Sequence, residues 1–591
     1  MEEPTGSGGP GGPGGAIEQR RPASPDPELA DLNLLSAAVV PGDAQYKLPF
    51  RAWGTPIIAI LTLASIVFAV ALWMDIVTAD SQREDPAFHD LVYSLLHQDT
   101  EAARNTLGGL GEVMAAVLGL ALTVSSIIVQ LAATRFTPHI TVLFFRARTN
   151  LFILGFFVIS AVFVVWVNFA VSDYVPRWGV LFSMVLMTMS LVLLFPYFNY
   201  VFDFLDPEKI VGRITADGLY ACTPIKGRAG LDLDRRKQQA VEAVEHLANI
   251  SLNAMQQKDK NIASSAVDAL CKFGVLYGET KAGMLREWMK IPSWNRQSPD
   301  FVSLSNDAVD DLFTRGTWLE WKLLRQYQML FNEGLTHIKD VCYLVAIDTR
   351  RLGQAAAKRG DLPTIDLAIK FFNTYMRSTI NSKDIRTAYN ILHQYRQLGE
   401  VVLEYSQHPE LSTKDKEAAL QERVVTIARH MRYYGGITFQ RGMAFITEVV
   451  AYDIGALCEK AFAMDSRCHF ELLEVFLKVD DTVVEGEKER GLRGVRIAQV
   501  KLATSYLMAG AEMLAFQIAE DLKDESPKLL RSVWSELQNV VDREFWEVQD
   551  RGTNFNYLSK AQKETLPRFF SYFEALASSP SPDEEGDGEG L

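Results

Sequence analysis

Four long apolar stretches, nearly free of charge, stand out along the chain: residues 54–76, 112–134, 150–172 and 178–202. Crossing a hydrocarbon layer of about 30 Å takes roughly 20 helical residues. Each stretch is long enough, and core helices of water-soluble proteins rarely stay uncharged for so long. The pattern therefore predicts a four-helix transmembrane domain over residues 49–205. Between the first two spans, loop 77–110 places Phe88, Leu91, Val92, Leu95 and Leu96 at helical spacing, which predicts a short external amphipathic helix. Residues 136–148, FTPHITVLFFRAR, mix apolar bulk with arginine and predict an interfacial elbow.

Beyond residue 205 the pattern changes. Pro207, Gly212, Gly218, Pro224, Gly227 and Gly230 predict a turn-rich connector over 206–234, with short strands around Ile210–Ile214. From 235 to 576 the 3.6-residue period dominates, first through Ala240, Val241, Val244, Leu247, Ala248, Ser251 and Met255. It recurs at about 262–278, 318–332, 335–358, 363–380, 384–406, 413–432, 440–463, 468–478, 490–521, 527–548 and 559–576. Pro363, Pro409 and Pro527 fall near helix starts; Gly360, Gly399 and the pair Gly435-Gly436 fall near ends. The fold class is mainly α: a transmembrane bundle followed by a large helical domain, an irregular α-solenoid or bundle. The Gly/Pro-rich segment 1–48 and the acidic segment 577–591 cannot bury enough apolar surface to fold and are expected to be disordered.

Charge adds orientation. Residues 135–150 carry Arg135, Arg146 and Arg148 with no acid, whereas 75–106 carry seven acids against Arg83 and Arg104. Basic loops stay on the cytoplasmic side, which predicts both termini in the cytoplasm. Trp53, Trp73, Trp178, Phe195, Tyr197, Phe198, Tyr200 and Phe202 near the span ends suit an interfacial aromatic belt. A net charge of −14 argues against nucleic acid as a partner. Five dispersed cysteines, all after the last span, suit reduced thiols rather than a disulfide framework.

The second span is the least apolar. Glu112, Gly119, Thr123, Ser126 and Gln130 share one helical face, and Gly111, Ala115 and Gly119 recur every four residues. Such a stripe is unfavourable against lipid, so it is expected to form a packing seam, within the protomer or between copies, or the wall of a permeation path with Glu112 at its mouth. Chemistry is otherwise sparse. No Walker loop, GxGxxG turn, HExxH, paired CxxC or GxSxG occurs. Cys458 with Cys468-His469 reads as buried thiols beside a solvated histidine, and the acidic run 479–489 as a solvated turn. Tyr433-Tyr434 and Trp318/Trp321 read as core fillers before interface anchors. No catalytic residue, cofactor or metal is expected, and an enzyme is the least favoured class.

The segment from Gly109 to Trp166 resembles a bacterial family of predicted membrane proteins, domain of unknown function 2254. The resemblance spans about residues 50–270. It rests on a phrase like "ALQLASSQFSPR" after a hydrophobic span, here Ile128-Val129-Gln130-Leu131-Ala132-Ala133-Thr134-Arg135-Phe136-Thr137-Pro138-His139, with Gln130, Leu131, Ala132, Phe136 and Pro138 carrying the likeness. A later family motif close to "LSPGINDP" is replaced here by Leu252-Asn253-Ala254-Met255-Gln256-Gln257-Lys258-Asp259-Lys260-Asn261. The resemblance implies a multi-pass protein of a bacterial inner membrane and supplies no activity. Two functions follow as expectations. One is a membrane-anchored helical scaffold or sensor with an unidentified cytoplasmic protein partner. The other is a homo-oligomeric channel or transporter lined by the second span.

Overall fold

The computed structural model describes residues 99–136, 138–172, 175–224, 233–408, 413–481, 492–544, 550–552 and 554–573. All lie in one compact unit, 41–591. The expected first span, the loop helix around Phe88, and both expected disordered segments fall outside the described residues. Nineteen α-helices and no strand occur among the described residues.

Three described helices are long and apolar enough to cross a membrane: α1 (Thr100–Arg135), α3 (Arg148–Ala170) and α4 (Arg177–Phe204). The expected loop over 77–110 is corrected at its end. Asp99 accepts a hydrogen bond from the Ala102 amide, and α1 runs on from there for 36 residues. At 1.5 Å per residue that is about 54 Å, well beyond one hydrocarbon thickness. The three helices pack on one another, and α3 and α4 leave bulky apolar side chains outward: Phe169 is 85% exposed and Trp166 and Trp178 about 70%. Each such side chain in water forgoes about 2 kcal/mol of burial, so lipid is the solvent this surface fits. Tyr197 is corrected out of the aromatic belt: it is fully buried, while Phe195 and Phe202 point outward.

The elbow forms as α2 (His139–Arg146), with Ile140 and Phe144 buried and Val142 and Phe145 exposed. The strands predicted around Ile210–Ile214 do not form, and residues 225–232 of the expected connector lie outside the described residues. Residues Pro207–Ala221 are a helix, α5, started by Asp206 as N-cap and Pro207 in the first turn. Gly218 serves packing: a Cβ there would fall 2.5 Å from Ala243 Cβ and 2.9 Å from the Phe273 ring.

The remaining helices are α6 (Leu233–Gln256), α7 (Lys260–Thr280), α8 (Asn306–Arg315), α9 (Trp318–Thr336), α10 (Lys339–Arg359), α11 (Leu362–Asn381), α12 (Ile385–Ser406), α13 (Lys414–Gln440), α14 (Ala444–Ala463), α15 (His469–Leu477), α16 (Arg493–Met508), α17 (Glu512–Asp521), α18 (Pro527–Asn539) and α19 (Lys560–Phe570). Neighbours pack in succession, α6 on α5 and α7, α7 on α10, α10 on α12, α12 on α13, α13 on α14 and α14 on α16. Helix ends depart from expectation where glycine was read as a stop. Gly399 lies inside α12 and Gly435-Gly436 inside α13, where Gly399 faces Leu457 and Gly435 faces Val450. The expected helix 490–521 breaks instead at Gly510, whose φ is +77°.

Candidate functional site

The end of α1 that enters the helical domain is the best-built candidate. Ala132 and Phe136, together with Ile140 of α2, are buried in the same apolar core as Ile214, Val244, Leu247 and Phe273 of α5–α7. Polar contacts pin the same corner. Asn253 Nδ2 donates to the Phe136 carbonyl at 2.6 Å, and Gln257 Nε2 donates to the Arg135 carbonyl at 3.2 Å. These bonds satisfy carbonyls that a helix terminus leaves without intrahelical partners. Arg135 also pairs with Asp259 at 2.8 Å, and its guanidinium lies 5.4 Å from the Phe136 ring centroid. The pair is half exposed, so water screens much of its energy; the apolar contacts and the two amide bonds do more of the fastening.

Beside this lock a groove of about 560 Å³ opens between α1, α2 and α6. Ser126, Gln130, Thr134, Thr141 and Asn253 supply its polar lining. Val129, Ala133, Pro138 and Phe145 supply the apolar part. Gln130 and Ser126 make no side-chain hydrogen bond among the described residues, so both are available to an occupant.

The predicted stripe is thus divided. Glu112, Gly119, Thr123, Ser126 and Gln130 are all exposed, so none forms a seam within the described bundle, and a Cβ on Gly119 would meet nothing within 4 Å. Only Ser126 and Gln130 reach the groove. Leu131 faces outward, Ala132 and Phe136 point into the core, and Pro138 lines the groove at the N-cap of α2. Arg146 and Arg148 are exposed at the same end of the bundle.

Sequence reading missed the polar cluster on the opposite face of α1. Ser125 Oγ donates to Tyr197 OH at 2.9 Å, and Tyr197 OH donates to Asn150 Oδ1 at 3.1 Å. All three side chains are buried, which ties α1, α3 and α4 together by buried hydrogen bonds. The available signal was Asn150, a carboxamide at the edge of an apolar run. Also missed were the roles of Asn253, Gln257 and Asp259. They lie in the segment that departs from the family motif, and they clasp the Arg135-Phe136 phrase.

Elsewhere, His469 is not solvated: it is buried, its Nε2 2.7 Å from Tyr506 OH, and burial pulls its pKa below the usual imidazole range. Cys458 and Cys468 are buried thiols. Asp480 is not in a solvated turn either, being buried against Arg496 at 2.7 Å. Trp318 and Tyr434 are core residues, whereas Tyr433 is exposed. Among the described residues no cluster of three His, Cys, Asp or Glu side chains could hold a metal.

Residues 51–268 match the family model of DUF2254, a predicted membrane protein. The DUF2254 match spans α1 to α6 and ends within α7, so it takes in both sides of the junction. No curated protein matches the chain. A solved structure described as a circular tandem repeat protein with novel repeat topology and enhanced subunit contact surfaces is similar over 74% of this chain and 98% of its own. The identity is 12% and the TM-score 0.35, too low to support an argument about fold or function.

Proposed function

We propose that this protein is a membrane-anchored helical scaffold with a sensing role, its domain from α6 to α19 held on the cytoplasmic side of a bacterial inner membrane. One observation carries the reading: the end of α1 shares a core with α5–α7, so bundle and domain are packed as one body at the junction. A displacement of α1 would have to repack that core, because closely packed interiors transmit strain. Arg135, Arg146 and Arg148 at the domain end of the bundle favour that end facing the cytoplasm. The succession of paired helices supports an irregular α-solenoid, a surface suited to protein partners, and exposed Tyr433 and Phe470 are candidate anchors.

The coupling is tested with Asn253→Ala. Losing its bond to the Phe136 carbonyl is expected to cost about 1 kcal/mol. Hydrogen exchange across 252–262 should then rise about fivefold in the full-length protein, since 1.4 kcal/mol is about a factor of ten. Unchanged exchange would remove the coupling argument. The scaffold role predicts that benzoylphenylalanine at position 470 or 433 cross-links one defined protein in native membranes. Absence of any adduct at both positions would overturn it.

A second reading has its own support. The outward face bearing Glu112, Thr123, Ser126 and Gln130 suits a path or seam between copies of this chain in an oligomeric channel or transporter. It predicts liposome flux that is abolished by Ser126→Leu with Gln130→Leu. A monomer in detergent and in native membranes would count against it.

A further inference from the structure

We propose that the groove between α1, α2 and α6 binds the headgroup of an anionic phospholipid, with the acyl chains lying along the exposed side of α1. The inference rests on the membrane-anchored reading above and names the ligand class of its junction. Three observations converge on it.

The first is level in the membrane. The groove opens where apolar α1 gives way to polar connections, at the end of the bundle that carries the elbow and enters the helical domain. Headgroups lie at such boundaries between apolar spans and polar segments.

The second is lining. Ser126 and Thr141 hydroxyls and the Gln130 carboxamide offer donors for phosphate and glycerol oxygens, while Ile127 and Leu131 on α1 and Phe145 on α2 are exposed apolar flanks for the chains. A free-standing carboxamide such as that of Gln130 is costly against hydrocarbon and is satisfied by a polar headgroup.

The third is charge. The chain as a whole is acidic, at −14, yet residues 113–172 contain no carboxylate. Arg146 directly follows Phe145 of the groove wall, and Arg148 and Lys258 are also exposed near this end. Asp259, just beyond α6, is engaged by Arg135. The resulting local field attracts anionic headgroups, each basic side chain near a membrane surface adding about 1 kcal/mol.

The test is native mass spectrometry of the full-length protein, delipidated in detergent and offered equal amounts of dioleoyl phosphatidylglycerol and dioleoyl phosphatidylcholine. The expected result is selective retention of phosphatidylglycerol by about fivefold or more. Gln130→Leu with Arg146→Gln should abolish the selectivity, and Gln130 with Arg146→Lys should keep it. Both positions are exposed, and a thermal melt of each variant checks that the fold persists. Equal retention of the two lipids, selectivity unchanged in the double variant, or a second copy of the chain occupying this face without retained lipid would each overturn the proposal. Cross-linking at position 470 is independent of these variants. Lost selectivity with that adduct intact therefore refutes the lipid site and leaves the scaffold reading in place.

Discussion

Lys258, Lys383 and Asp465 hold φ between +50° and +60°, a left-handed backbone that costs a non-glycine residue about 1–2 kcal/mol. Each closes a helix in the same way as Gly316, Gly360, Gly442 and Gly510. The amide of the following residue donates to a carbonyl five residues back, as from Asp259 to Ala254, Asp361 to Ala356 and Asp384 to Thr379. Asp259, Asp361 and Asp384 then each cap the next helix through their side chains. Glycine at 360 advertised its turn; lysine at 258 and 383 did not, because the packing of the two flanking helices imposes a conformation that lysine alone disfavours. A second residue-scale effect is electrostatic. Asp348 is fully buried, and burial, reinforced by Asp268 and opposed by Arg351, pushes its carboxyl up to about 8. The unfolded chain releases this proton near pH 4, so between about pH 4 and 8 the native state binds more protons than the unfolded one. Stability from this group is therefore complete below pH 4 and is lost as pH rises to about 8. Asp348→Asn is expected to flatten that decline, read as melting temperature against pH from 5 to 8 for both proteins. Parallel curves would show that the group is not protonated in the fold.

At the scale of elements, α5 is the instructive case. Pro207, Gly212 and Gly218 read as turns, yet Asp206 and Pro207 start a helix and Gly218 lets it approach α6 and α7. Gly218→Ala is expected to destabilise by about 1–3 kcal/mol through overpacking against Ala243 and Phe273, despite the better helix propensity of alanine. Chemical denaturation of the full-length protein measures this, and a stabilised variant would show that the interface yields. The same reasoning explains Gly399 and Gly435: each is small because a neighbouring side chain comes close, so a residue read as a breaker sits mid-helix. Helix interiors from α9 to α14 were legible, since an apolar face repeated through several turns has few alternatives. The break between α16 and α17 was not, because one glycine in a periodic run signals either a stop or a close approach.

For the molecule as a whole, burial of thiols gives a further prediction. All five cysteines are free and buried, and burial raises the pKa of each, that of Cys342 to about 12. Thiolate is the reactive form, so the native protein should leave essentially all five unmodified by Ellman's reagent at pH 8, and all should react once it is unfolded in detergent. Rapid reaction of any thiol in the native protein would contradict the packing of that cysteine.

Length and the long uncharged runs within α1, α3 and α4 determined by themselves that these segments suit lipid, because transfer of apolar surface depends on composition more than on contacts. Apolar periodicity likewise determined that most of 235–576 is helical, though it did not announce α5. Which face of α1 is packed was decided only by tertiary structure. Ser125 and Ser126 are adjacent and chemically identical, yet one is buried against Tyr197 and the other opens onto the groove. Helical spacing places polar residues on a common face without saying what covers it. The clasp of Asn253, Gln257 and Asp259 on Arg135 and Phe136 joins positions more than a hundred residues apart. Such a contact exists only after the chain has folded back on itself, so no local pattern could announce it.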